Sequence, residues 1–427
     1  MKKLLLLFMT LPLFGTDKID TGDTAWMMVS TALVLLMTPA GLAMFYSGMT
    51  RAKNALNTYA MVVGAFVVGF TMWIIAGYSI AFGDGGTLNK FIGGFNNLFL
   101  EGISWRDLSG TYPTYIFIVF QGTFAAITIA IASGSIIERM KYSTWLIFAA
   151  LWTIIVYAPI AHMVWGGGLL FDDGALDFAG GTVVHMNGGL AGLVLAILLG
   201  KRKHYQKIAM QPMSIMLTAL GGALLWFGWF GFNAGSAFGA NNISGLAYLT
   251  TAFAPAVAAI TWLILEYIVF KKLTLLGAVS GIVAGLVAIT PAAGFVDVFG
   301  SFIIGMIGSV VAFFGVVWLK KRFNYDDSLD AFGIHFLAGA WGALATGIFA
   351  LNDKDLLWDG PLKAHNDRIA QIWVQFESIL IVGAITLIGT IVVYYIASML
   401  TGGARVDEET ESIGLDDAVH GEKAIHL

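Results

Sequence analysis

The sequence returns again and again to apolar stretches of about twenty residues, the length at which a helix crosses the hydrocarbon core of a bilayer. Eleven of them fall near 25–49, 57–82, 113–137, 143–167, 178–200, 213–236, 247–270, 273–291, 295–319, 330–351 and 371–400. Backbone polar groups in lipid must be satisfied within the protein, which leaves helices or closed barrels. Unbroken apolar runs of this length select helices. The expected fold is therefore all-α and polytopic, with eleven transmembrane helices. Composition agrees, because 58% hydrophobic and 12% charged residues cannot cover the surface of a soluble domain of 427 residues. The absence of cysteine excludes disulfides, thiolate metal sites and cysteine nucleophiles. No segment between spans is long enough for an attached soluble domain, so neither an enzyme nor a nucleic-acid-binding protein is expected, and no cofactor or metal is called for.

Residues 1–15 read as a signal peptide: Lys2 and Lys3 precede an apolar run that includes Leu4–Phe8 and is too short to span. The Leu13-Phe14-Gly15-Thr16 region lacks a small-x-small cleavage pattern, so an uncleaved first helix is the alternative. Residues 16–400 then form the membrane domain and 401–427 a polar, acidic tail. With the N-terminus outside, the inner loops hold thirteen basic residues (Arg51, Lys53, Arg139, Lys141, Lys201, Arg202, Lys203, Lys207, Lys271, Lys272, Lys320, Lys321 and Arg322). The outer segments hold six: Lys18, Lys90, Arg106, Lys354, Lys363 and Arg368. Positive charge favours the cytoplasmic side, which predicts a multi-pass protein of the cell (inner) membrane, N-terminus outside and C-terminal tail in the cytoplasm.

The fifth and tenth spans share a pattern. Asp177 is followed by His185, Gly189 and Gly192; Asp330 is followed by His335, Gly339 and Gly342. The histidines lie five spans apart, an odd number, so the two copies run in opposite directions. That is an inverted-topology 5+5 repeat, with sites expected where its halves meet. The eleventh span stands outside it. Gly277, Gly281 and Gly285 form a small-residue face for helix packing on the eighth span.

Ionisable groups deep in a span are functional candidates. His185 and His335 are such groups, each in an apolar run with no charged residue within four positions. A buried imidazole without a strong partner loses its charge. Two neutral rings can share one proton and offer their other nitrogens to a small solute that both donates and accepts. His162 reads as structural. Trp165, Phe120, Phe124, Phe232 and Ser236 mark an approach to the histidines, where aromatic faces and a hydroxyl can hold a small cation. Asp177, at the start of the fifth span, is placed to cap that helix and to add negative potential beneath the cation site.

Four blocks, in order along the chain, resemble the signatures of the ammonium transporter (Amt) family: Ala161-His162-Met163-Val164-Trp165-Gly166-Gly167-Gly168, Asp177-Phe178-Ala179-Gly180-Gly181-Thr182-Val183-Val184-His185, Trp229-Phe230-Gly231-Phe232-Asn233-Ala234-Gly235-Ser236 and Asp330-Ala331-Phe332-Gly333-Ile334-His335. The resemblance implies a homotrimer with one pore per subunit. It implies that Phe124, Trp165 and Ser236 recruit ammonium, that Phe120 or Phe124 with Phe232 forms a gate, that Asp177 supports the site, and that His185 and His335 line the pore. Trp165 and Ser236 favour the Amt branch over the Rhesus-type proteins. The tail from Arg405 through Gly414-Leu415-Asp416 to His420-Gly421-Glu422 resembles the segment through which PII-type signalling proteins act. Two rival functions remain at this stage: an ammonium sensor, and a membrane oxidoreductase with the two histidines as haem ligands.

Overall fold

The computed structural model describes residues 18–351 and 367–425, so the signal-peptide reading and most of the loop between the last two spans lie outside the described residues. Among the described residues ten helices are long and apolar enough to cross a membrane. They are α1 (Thr21–Met49), α2 (Ala52–Phe82), α3 (Thr114–Ser133), α4 (Tyr142–Asp172), α5 (Gly181–Leu199), α6 (Ile215–Ala234), α7 (Asn242–Phe270), α9 (Val298–Phe323), α10 (Phe332–Phe349) and α11 (Arg368–Leu400). The eighth predicted span appears as a shorter apolar helix, α8 (Leu275–Ile289). A last short helix, α12 (Glu408–Ile413), lies in the tail.

Short polar side chains begin these helices, as the free N–H groups of a first turn require. Asp20, Ser214, Asn241, Thr274, Asp297 and Asp367 each accept a backbone N–H within the following turn. Seven of the spans are widened by a π-helical turn, including Gly181–Met186 in α5, Phe230–Ala234 in α6 and Phe332–Leu337 in α10. Such turns redirect side chains and often mark functional sites. These three hold His185, Phe232 and His335.

α3 and α5 are enclosed by the other helices, whereas α11 runs along the outside with most of its surface apolar and exposed. Glycine sets the closest approaches. A Cβ on Gly281 would stand 2.7 Å from Trp262 and one on Gly285 2.5 Å from Ala258, so α8 lies against α7 as the small-residue face predicts. Gly277 meets the Glu266 carboxylate instead, which accepts the Thr274 N–H and hydroxyl and closes the α7–α8 turn.

At the end of the bundle that holds the tail, a buried ionic chain links separate loops. Arg51 donates to Glu138 (Nη2–Oε2 2.7 Å), Arg202 reaches the same carboxylate at 3.0 Å, and Arg202 also binds Asp326 at 2.8 Å. Arg139, fully buried, gives its hydrogens to the carbonyls of Gly200, Ile137, Ser135 and Asp326 and to the Ser328 hydroxyl. The tail fastens onto this layer. Asp416 accepts the N–H groups of Leu56 and Asn57 at the start of α2, Arg405 pairs with Glu411, and Glu411 accepts the Lys203 N–H. Glu138, near the end of a predicted span, is thus not a solvent-seeking carboxylate but the centre of a buried network.

Two predictions follow from packing and charge. Gly285→Leu forces α7 and α8 apart and is expected to cost about 1–3 kcal/mol, read as a lower melting temperature in detergent; Gly245→Leu, at a position with open space around it, leaves melting unchanged. Burial alone would push the Glu138 carboxyl up, but hydrogen bonds from Arg51 and the charges of Arg202 and Arg51 hold it below the usual carboxylate range. Its stabilisation is therefore full above that range and is lost as pH falls through the lowered value. Glu138→Gln should cost about 3–5 kcal/mol at neutral pH, as breaking a buried pair does, with the gap to wild type closing in acid.

Candidate functional site

α5 and α10 both start inside the bundle, and each start is organised around a buried aspartate. Asp177 accepts the N–H groups of Gly180 (2.9 Å), Gly181 (2.6 Å), Thr182 (2.9 Å) and Val183 (3.1 Å), and the Thr182 hydroxyl at 2.6 Å. Every lone pair of the carboxylate is engaged, so Asp177 acts on its surroundings through the helix it caps. At α10 the corresponding residue is Asp327, not the Asp330 of the sequence repeat. Asp327 accepts the N–H groups of Ala331 (3.2 Å) and Phe332 (2.8 Å), while Asp330 pairs with Lys320 at 2.8 Å. The correction restores the register: Asp177 precedes His185 by eight residues and Asp327 precedes His335 by eight. Three residues after each aspartate the backbone turns left-handed, at Gly180 (φ 107°) and at Asp330 (φ 61°).

The remaining contacts are reciprocal. The Gly189 position of α5 faces the His335 Cβ (3.1 Å), and the Gly339 position of α10 faces the His185 Cβ (3.4 Å). Gly192 lies against Ser135 after α3, and Gly342 against Ala288 of α8. The loop before α5 donates from Phe178 to the Pro291 carbonyl after α8; the loop before α10 donates from Leu329 to the Gly134 carbonyl after α3.

The two helix starts stand so that the histidines meet. Their Nδ1 atoms are 3.3 Å apart and the rings lie nearly parallel, 22° between planes, with centroids at 5.4 Å. His185 is fully buried and its Nε2 has no hydrogen-bond partner among the described residues. An apolar column continues from it. The Phe232 ring is 5.7 Å from His185, Phe124 stacks on Phe232 at 4.1 Å and 17°, and Trp165 meets Phe124 edge-on at 6.2 Å. Phe120 leans on Phe124 at 4.8 Å but is not the stacked partner. The Trp165 indole donates to the Asp177 carbonyl at 2.8 Å, and the buried Ser236 hydroxyl donates to the Phe232 carbonyl at 2.8 Å. Seven of the eight residues singled out in the sequence, Trp165, Phe120, Phe124, Phe232, Ser236, His185 and His335, are therefore linked by successive contacts, and the eighth, Asp177, caps the helix beside them. Sequence reasoning missed Trp229, whose indole stacks on His185 at 5.1 Å and 22° and donates to Thr290. The signal was present: Trp229 lies three residues before Phe232, on the same helical face.

Chemically, the column offers aromatic faces and one hydroxyl at its first end, then two stacked rings, and then two imidazoles in direct contact. It lies within a bundle of apolar helices long enough to cross a bilayer, which is the architecture of a multi-pass membrane protein.

The ammonium transporter family model matches residues 25–425, and the chain belongs to that family. It is 49% identical to an ammonium transporter of Aquifex aeolicus over 96% of this chain and 95% of that one, and 47% identical to an ammonium transporter of Bacillus subtilis over 94% and 98%. Among solved structures it is similar to Saccharomyces cerevisiae Mep2 (TM-score 0.82, 34% identity, 92% of this chain and 91% of that one). It is also similar to a protein described as a sensor Amt protein (TM-score 0.84, 27% identity, 93% and 98%). The chain is thus a multi-pass membrane protein of a family of ammonium transporters.

Removing either capping carboxylate leaves buried N–H groups unpaired at about 1–3 kcal/mol each. Asp177→Ala and Asp327→Ala should both melt at clearly lower temperature, whereas Asp330→Ala, which breaks only the partly exposed pair with Lys320, should cost less than either. Melting of the detergent-solubilised variants measures the order.

Proposed function

We propose that the chain conducts ammonium nitrogen across a bilayer by recruiting NH4+ at Phe124, Trp165 and Ser236, removing a proton, and passing NH3 along His185 and His335. The observation that carries this reading is the direct Nδ1–Nδ1 contact at the foot of an aromatic column that lacks any charged side chain. Moving a charge into such surroundings costs many kcal/mol, and ammonium escapes that cost by leaving its proton behind. Potassium, close to ammonium in size, has no proton to lose. The first site needs only cation–π attraction, about 0.5–2 kcal/mol per aromatic ring, because it must release what it collects.

In this reading the helices cross the bilayer eleven times, α8 included, as an inverted repeat with α11 outside it. The broad exposed apolar faces of α6, α7, α9 and α11 suit lipid and two further copies in a homotrimer. The basic clusters at Lys201–Lys207, at Lys271–Lys272 and, in the last turn of α9, at Lys320–Arg322 lie at span ends that the positive-inside rule assigns to the cytoplasm. The docked tail then faces the cytoplasm, where a PII-type protein can reach it, and residues 1–15 serve as the signal peptide. A sensor role has one specific support, the likeness to a protein described as a sensor Amt protein. The haem reading loses ground to geometry, since imidazoles in direct contact leave no space for a macrocycle between them.

The test is transport by purified protein in liposomes on a solid-supported membrane. Ammonium and methylammonium pulses should give currents, or a rise in internal pH if ammonia crosses without net charge, and potassium should give neither. Silence in both assays, with ammonium still bound, would replace transport by sensing. His185→Asp and His335→Asp should admit potassium; unchanged ammonium uptake and potassium exclusion in both would sink the mechanism.

A further inference from the structure

His162 is fully buried one helical turn before Trp165, and both of its ring nitrogens meet backbone carbonyl oxygens. Nδ1 is 3.0 Å from the Ala81 carbonyl in the last turn of α2, and Nε2 is 2.6 Å from the Asn89 carbonyl in the loop after it. A carbonyl oxygen only accepts. A neutral imidazole has one N–H and one lone pair, so in either tautomer one contact would set lone pair against lone pair. Only the imidazolium donates to both. The setting suits a cation, because Ala81 offers one of the unpaired carbonyls at the C-terminal end of α2, where the helix dipole is negative.

The two carbonyls belong to a segment that is sewn to the turn after Trp165. The Asn89 side chain donates to the Gly167 carbonyl at 3.1 Å and accepts the Gly85 N–H, and Leu169 donates to the Lys90 carbonyl at 2.9 Å. The approach is close enough to require glycine. A Cβ on Gly166 would stand 2.0 Å from the Ala81 oxygen and 2.7 Å from His162 Nδ1, and one on Gly168 would stand 3.0 Å from the Lys90 oxygen. Trp165 lies between His162 and this glycine run, so whatever fixes those residues fixes the indole.

We propose that His162 is a doubly donating imidazolium that clamps residues 81–90 to the Gly166–Gly168 turn, and that it is a positioning residue for the recruitment site through Trp165. The clamp rests on the reading of Trp165 as part of that site; the charge state does not. Two experiments test it. In wild-type protein carrying 15N-labelled histidine rings, the exchange-protected rings at neutral pH should include one imidazolium with both nitrogens protonated. A spectrum in which every protected ring is neutral overturns the proposal. In liposomes, His162→Gln and Gly166→Ala, whose Cβ would press on both the Ala81 carbonyl and the ring and so break the same apposition while keeping the imidazole, should each raise the KM for methylammonium at least several-fold and keep the maximal rate within about two-fold. An unchanged KM in either folded variant overturns the clamp, and a fall in maximal rate at constant KM replaces it by a purely structural role. If wild-type protein moves no methylammonium, the transport reading fails while the ring measurement still decides the charge.

Discussion

Helices α5 and α10 begin within the bundle, where their first N–H groups meet no water, and a helix end buried in that way needs an acceptor that travels with it. Asp177 and Asp327 supply it. Each carboxylate fixes where its helix starts, and with a spacing of eight residues it fixes where the histidine of that helix stands. The contact between the imidazoles, the stacking of Trp229 and Phe232 beside them, and the reciprocal glycine contacts all depend on those two starting points. A histidine on a helix free to slide by one residue would rotate away by about 100°.

The same economy explains why the site needs so few polar atoms. The Asp177 carboxylate is saturated by the helix it caps, the Ser236 hydroxyl and Trp165 indole are each committed to a carbonyl, and among the described residues the Nε2 of His185 is left without a partner. Rigidity at the far end has a different origin. There, ionic bonds among Arg51, Glu138, Arg202 and Asp326 tie the helix ends to each other and to the tail. A partner that pulled on the tail would pull on the ends of α2 and α5 through Asp416, Arg405 and Glu411.

Much of this was legible in the chain alone. The apolar stretches, the paired histidines and the glycines at fixed distances after them are local patterns, and hydrocarbon leaves them few interpretations. At the eighth expected span the structure has an apolar helix that is shorter than the ten spanning ones. The repeat was seen in the wrong register, because three aspartates lie within five residues at 326–330 and only the backbone shows which one reaches the helix start. The choice between Phe120 and Phe124 also waited for the structure: both lie on the same face of α3, and only ring geometry selects Phe124 as the stacked partner of Phe232.

The sequence by itself determined the apolar, helical character of the segments and their order, because burial of backbone in lipid is a condition each segment must meet alone. It also singled out His185 and His335, since an ionisable side chain deep in an apolar span is costly. The tertiary structure decided which nitrogens meet, which aspartate caps α10, and that His162 bridges two carbonyls from residues more than seventy positions away. Those outcomes turn on distances of a few ångströms between segments remote in the chain, and only the packing of the helices against one another sets them.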